Sequence, residues 1–81
     1  MIGNEVISEL MQLIDIAIKK DITTKTDIFF EYSSHTKQID IRIYLNGWKN
    51  EILWDEDYRI YLDEPNAINK INVLRVRIES F

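Results

Sequence analysis

Apolar positions along this chain recur with two different periods, and the change of period marks out its elements. From about Asn4 to Lys20 the spacing is helical: Val6, Leu10, Leu13 and Ala17 fall on one line, and Ile7, Met11, Ile14 and Ile18 form a second line beside it. Together they make a broad apolar face, with Glu5, Ser8, Glu9, Gln12 and Asp15 opposite. Asn4 is suited to cap the N-terminus, with Glu5 in the first turn. Lys19 and Lys20 stand where the helix dipole favours cations, and Asp15 to Lys19 is a favourable i,i+4 pair. The β-branched residues Ile22, Thr23, Thr24 and Thr26 then turn the chain out of the helix.

Beyond Asp27 the period drops to two, the mark of half-buried antiparallel strands. In Asp27–Ser33 the inward positions are Ile28, Phe30 and Tyr32; in Ile39–Leu45 they are Ile39, Ile41, Ile43 and Leu45. Ser34 to Gln38 reads as the hairpin loop between them. Pairing Phe30 with Ile43 sets Glu31 opposite Arg42 and Phe29 opposite Tyr44, favourable pairs worth ~0.2–1 kcal/mol each. A slip of two residues sets Glu31 against Asp40, two like charges, so the first register is expected.

Asn46-Gly47 is a turn signal that ends the strand and opens a longer loop, Trp48 to Asp57, which carries both tryptophans and has room for an extended piece at Ile52 to Trp54. A third strand places Tyr58, Ile60 and Leu62 inward, with Arg59 and Tyr61 outward. Pairing Ile60 with Ile43 brings Tyr61 to Arg42 and Arg59 to Tyr44. Asp63-Glu64-Pro65 is a helix start, and Ala67, Ile68, Ile71, Leu74, Ile78 and Phe81 follow at steps that are mostly three and four. Leu74 to Ile78 also alternates like a strand, but the start signal and the longer stripe favour a helix.

The predicted fold is α+β: a two-layer α-β-β-β-α domain, a three-stranded antiparallel meander with both helices on one face, spanning residues 1–81 as a single domain. Its core is expected to hold Leu10, Leu13, Ile14, Phe30, Ile41, Ile43, Ile60, Ile71 and Leu74.

Composition narrows the function classes. The 81 residues are 46% hydrophobic, enough for one small core. Ten basic residues stand against fourteen acidic ones, a net charge of −4. That balance argues against generic nucleic-acid binding, whose affinity comes from accumulated Lys and Arg. The absence of cysteine and the single histidine remove the usual zinc sites. No apolar run approaches a membrane span, and the N-terminus does not read as a signal peptide, so a cytoplasmic protein without a membrane role is expected.

The sharpest candidate site is the sheet's outer face, which displays Phe29, Tyr44 and Tyr61 with Arg42, Arg59, Glu31 and Asp40. Aromatics and arginines with few lysines resemble the centre of a protein interface; ordinary cross-strand pairing on a solvated face also accounts for them. Trp48 and Trp54 form either an aromatic pocket or a lid over a core edge. His35 lies in the hairpin loop near Ser33, Ser34 and Asp40, and nothing in the spacing holds it between a nucleophile and an acid. Asp55-Glu56-Asp57 with Asp63 and Glu64 is an acidic cluster without the glycine or ligand spacing of a calcium loop. No phosphate loop or nucleophile elbow occurs, so neither an active site nor a cofactor is expected.

The element order looks like that of the double-stranded-RNA-binding domain. That family's basic loop and basic second-helix start would fall near Asn66 to Lys70, where one lysine stands beside Asp63 and Glu64, so the shape is shared without its binding residues. Phe30-Glu-Tyr-Ser-Ser-His35, Ile41-Arg-Ile-Tyr-Leu-Asn-Gly-Trp48 and Tyr61-Leu-Asp63 together resemble small uncharacterised proteins of phages and prophages of Gram-positive bacteria. That resemblance covers about half the chain and implies a host-range, packaging or regulatory accessory role. The expected function is non-catalytic protein–protein interaction, with a second protein or a second copy as partner. The alternative is an acidic nucleic-acid mimic that blocks a DNA-binding protein.

Overall fold

The computed structural model describes residues 2–49 and 53–81. Helix α1 runs Asn4–Thr23, strands β1, β2 and β3 run Asp27–Ser33, Gln38–Tyr44 and Glu56–Tyr61, and helix α2 runs Ala67–Glu79. The strands form one antiparallel sheet in the order β1-β2-β3. The α+β order of the hydrophobic pattern is therefore the order of the fold, and Leu74 to Ile78 is helix.

Several boundaries shift for local reasons. Gly3 caps α1 instead of Asn4, and α1 continues three residues past Lys20. The threonines assist: the Thr23 hydroxyl donates to the Lys19 carbonyl at 2.6 Å, and the Thr24 N–H donates to the Lys20 carbonyl at 3.0 Å. The helix thus ends about one turn later than Lys20, with the Thr23 and Thr24 hydroxyls taking up the Lys19 and Lys20 carbonyls. Asp63-Glu64-Pro65 forms a turn ahead of α2 and is not its first turn. The expected extended piece at Ile52 to Trp54 falls partly outside the described residues, and Leu53 and Trp54 are not in a strand.

The inner sheet face and the two helices close on one core. Leu13 and Ala17 of α1 and Ala67, Ile71, Leu74 and Ile78 of α2 pack on Ile28, Ile39, Ile41, Ile43, Ile60 and Leu62. Leu10 and Phe30 pack against it partly buried. Ile14, expected in the core, instead lines a groove on the flank of α1. Glu9 and Gln12 bond Arg75, and the Lys20 ammonium donates to the Phe81 carbonyl at 2.7 Å, so the helices run in the same direction.

Both strand registers differ from expectation. Phe30 lies opposite Ile41, not Ile43, and Ile60 lies opposite Ile39, not Ile43. The hairpin turn decides the first. Gln38 already belongs to β2 and pairs with Ser33, leaving Ser34 to Lys37 as the turn. Lys37 closes it in the left-handed region with φ 58°. Its carbonyl accepts the Leu62 N–H at 2.8 Å, which carries the β2–β3 ladder one step further. Glu31 consequently does face Asp40. The like charges are tolerated because β3 supplies the counter-ion: Arg59 lies opposite Asp40, and its Nε is 2.9 Å from Oδ1.

Candidate functional site

The outer face of the sheet forms a short grid. At one end Asp27 pairs with Tyr44; next come Phe29, Arg42 and Asp57; then Glu31, Asp40 and Arg59; and last Ser33, Gln38 and Tyr61. All six expected site residues, Phe29, Glu31, Arg42, Tyr44, Arg59 and Tyr61, lie on this face. They do not make one patch. Tyr61 sits at the hairpin end opposite Gln38, away from the other two aromatics, and Arg59 meets Asp40 instead of Tyr44.

The aromatic end is held together tightly. Phe29 and Tyr44 are diagonal neighbours, and their rings meet edge to face with centroids 5.3 Å apart. Tyr44 is only 8% exposed, whereas Phe29 is 47% exposed. Trp54, absent from the expected set, lies across the Arg42 guanidinium at 4.4 Å. Asp57 approaches the same guanidinium at 3.7 Å. Arg42 is thus held between a ring and a carboxylate that both come from the chain after residue 52. No local signal around Arg42 announces either partner.

The loop reaches this face by capping the end of β2. The Asp55 N–H donates to the Ile43 carbonyl at 2.9 Å, and its carboxylate accepts the Leu45 N–H at 2.8 Å. Gly47 makes the preceding turn with φ 87°, where a Cβ would stand 3.3 Å from the Lys25 carbonyl oxygen. The Trp48 N–H donates to the Asp27 carboxylate at 2.7 Å, leaving its indole half exposed. Of the two tryptophans, Trp54 acts in part as a lid on the sheet and Trp48 stands at its rim.

The other candidates lose their chemistry to pairing. The acidic cluster is divided among structural partners: Asp55 caps β2, Glu56 binds Arg77 at 2.5 Å, Asp57 faces Arg42 and Glu64 binds Lys70 at 3.2 Å. Arg77, joined by the Tyr58 hydroxyl, holds the Glu56 carboxyl below its ordinary range despite the opposing push of burial. The same bond and burial push the Tyr58 phenol up. Arg59, with Gln38, holds the Asp40 carboxyl low. His35 is exposed in the turn, and Asp40 is occupied by Arg59 and Gln38. Among the described residues, no three His, Cys, Asp or Glu side chains gather where they could hold a metal ion, and no helix is long and apolar enough to cross a membrane.

Comparison with protein-family models, with curated proteins and with solved structures finds no match.

Proposed function

We propose that this chain is a small, non-catalytic protein–protein interaction domain, an accessory protein of the phage and prophage kind acting in the cytoplasm, and that it docks through the aromatic end of the outer sheet face. The observation that carries this reading is Phe29. A large aromatic, 47% exposed, stands on the sheet face opposite both helices, beside an arginine already oriented by Trp54 and Asp57. Exposed aromatics next to a pre-ordered arginine are the pattern that concentrates binding energy at interfaces. Ordering Arg42 before binding lowers the entropy that association would otherwise cost. A catalytic reading has less behind it: His35 is exposed in the hairpin turn, and Asp40 is taken up by Gln38 and Arg59. The alternative of a nucleic-acid mimic needs free carboxylates, yet Glu9, Asp15, Asp40, Glu56, Asp57, Glu64 and Glu79 each lie within 4 Å of a Lys or Arg nitrogen.

The test is partner capture from host lysate with the wild-type chain and with Phe29→Ala plus Trp54→Ala. The double variant is expected to keep its far-UV circular dichroism and to bind the captured partner at least ~10-fold more weakly. Equal affinity for the same partner would remove this face from the function.

A further inference from the structure

The second apolar line of α1 is unused by the core. Ile7, Met11, Ile18 and Ile22 are 47%, 61%, 48% and 75% exposed, and with Ile14 they run at steps of 4, 3, 4 and 4 along the flank of α1 that faces away from α2. Steps of three and four are those of a helix-pairing seam. The same flank of the molecule carries the free edge of β1. The Ile28 N–H does not reach β2 and is bonded instead by the Asp21 carboxylate at 2.8 Å. Alternate residues of an antiparallel strand turn their N–H and C=O groups to the same side, so Phe30 and Tyr32 present theirs at that edge too. Tyr32 is 51% exposed and lines a groove with Ile2, Ile7, Leu10 and Ile14.

We infer that this flank is a homodimer interface: two copies join β1 to β1 antiparallel about a dyad at Phe30, while their α1 seams pack antiparallel above. Three observations point to a second copy as the occupant.

The first is charge. With the dyad at Phe30, Asp27 faces the partner copy's Ser33 position, Phe29 faces its Glu31 position, and Ile28 faces its Tyr32 position. Moving the dyad to Glu31 sets two Glu31 carboxylates opposite each other, and moving it to Phe29 sets Asp27 against Glu31. Like charges directly opposite are destabilising, so only the Phe30 axis of these three is clean. Phe30 and Tyr32 also point their polar backbone to the edge, as that pairing requires. The Ile28 N–H stays with Asp21, so its pair keeps the bond from the Tyr32 N–H to the Ile28 carbonyl.

The second is the symmetry of the seam. About its own centre Ile7 meets the Ile22 position and Met11 meets the Ile18 position, with Ile14 near the axis. An isologous contact needs this self-complementarity. Antiparallel helices also set their dipoles in opposition. Asp15, beside the axis, is already neutralised by Lys19 at 2.8 Å.

The third is that the two axes coincide. Asp21 reaches Ile28 at one end of β1, and the Ile7–Ile14 groove contains Tyr32 at the other, so the middle of the seam lies over the middle of the strand. In size, Ile7, Met11, Ile18, Ile22 and Tyr32, each about half exposed or more, show roughly 500 Å² per copy, and the strand-edge backbone adds to this, near the ~800 Å² per partner of a standard interface. The helical seam lies on the opposite side of the sheet from the outer-face site proposed above, and only the strand pairing adjoins that site, at Phe29.

The test uses the whole chain. Sedimentation of the wild type from about 1 µM to about 1 mM should show a monomer–dimer equilibrium. Met11→Glu and Ile18→Lys, both at exposed helical positions, should each keep the circular dichroism and weaken dimerisation at least ~10-fold. The double variant Met11→Glu/Ile18→Lys should recover most of that loss, because each new charge meets its opposite only in the antiparallel pairing. The chain has no cysteine, so Ile14→Cys should form a disulfide-linked dimer on oxidation while Val73→Cys, exposed on α2, should not. Trp54→Ala, on the outer face, should leave the dimer intact. A wild type that stays monomeric at about 1 mM overturns the inference. So does a dimer that Met11→Glu leaves unchanged, or a double variant no better than the single ones.

Discussion

The two faces of the sheet are built on different rules. The inner face is a set of aliphatic side chains with no directional demand. Ile28, Ile39, Ile41, Ile43 and Ile60 are interchangeable in chemistry, and any register that keeps them on one side buries them. The outer face is knit by partners that must meet one to one: Asp40 with Arg59, Arg42 with Asp57 and Trp54, Phe29 with Tyr44. The alternating pattern therefore locates the inner face correctly in either register, and says little about which outer-face residues touch. Judging a hairpin by its own two strands misleads here, because the charge that satisfies Asp40 comes from a third.

The largest expected effect separates the faces by burial. Ile41, fully buried on the central strand, should lose ~2–5 kcal/mol on substitution by alanine, read as a shift in chemical denaturation midpoint at unchanged slope. A loss under about 1 kcal/mol would mean the inner face is not the source of stability.

Tyr44 breaks the simple contrast, because it lies on the outer face and is nevertheless buried. The alternating pattern places it among the displayed residues of the candidate interface. The structure assigns it a packing role under Phe29, so Tyr44→Ala should cost ~2–3 kcal/mol of stability, whereas Phe29→Ala, at the exposed partner, should cost about 1 kcal/mol. Denaturation of both variants checks the order. Interface tests on this face belong on Phe29 and Trp54, since a Tyr44 variant would confound folding with binding.

A smaller effect is expected from pH, and it tests the ion pairs between layers. Arg77 and Tyr58 hold Glu56 below its ordinary value of 4.5, and Arg59 and Gln38 hold Asp40 below 3.8. A carboxylate with a depressed folded pKa contributes its full stability above its unfolded pKa and loses it as pH falls through the folded value. The melting temperature should therefore fall from about pH 4.5 downward, and Glu56→Gln should flatten that slope. An unchanged slope in the variant would show that the Glu56–Arg77 contact between β3 and α2 carries no linkage.

The smallest effect concerns the turn that sets the register. Lys37 adopts φ 58°, a conformation that favours glycine. Lys37→Gly should stabilise the hairpin by about 0.5 kcal/mol, net of the extra freedom it gives the unfolded chain. A destabilisation would mean that the lysine side chain itself supports the turn.

Much of this protein is determined by its sequence alone. The helical period before Lys20, the alternation around Ile41 and the long stripe from Ala67 to Ile78 specify α-β-β-β-α, because burying one face of each element allows few other arrangements. The same pattern names most of the core and places every candidate residue on the correct sheet face.

What tertiary structure alone decided is how the elements are aligned and which apolar line faces in. Two lines of α1 look equally apolar as sequence. Packing against α2 and the sheet buries Leu13 and Ala17 and leaves Met11 and Ile18 in solvent, because a helix of this width cannot turn both lines to one core. The strand register was settled by a four-residue turn closed at Lys37, and by Arg59 and Asp57 arriving from β3. Local pairing rules cannot register a charge some twenty residues away, and Arg59 is what makes Glu31 opposite Asp40 acceptable, just as no local rule places Trp54 on Arg42.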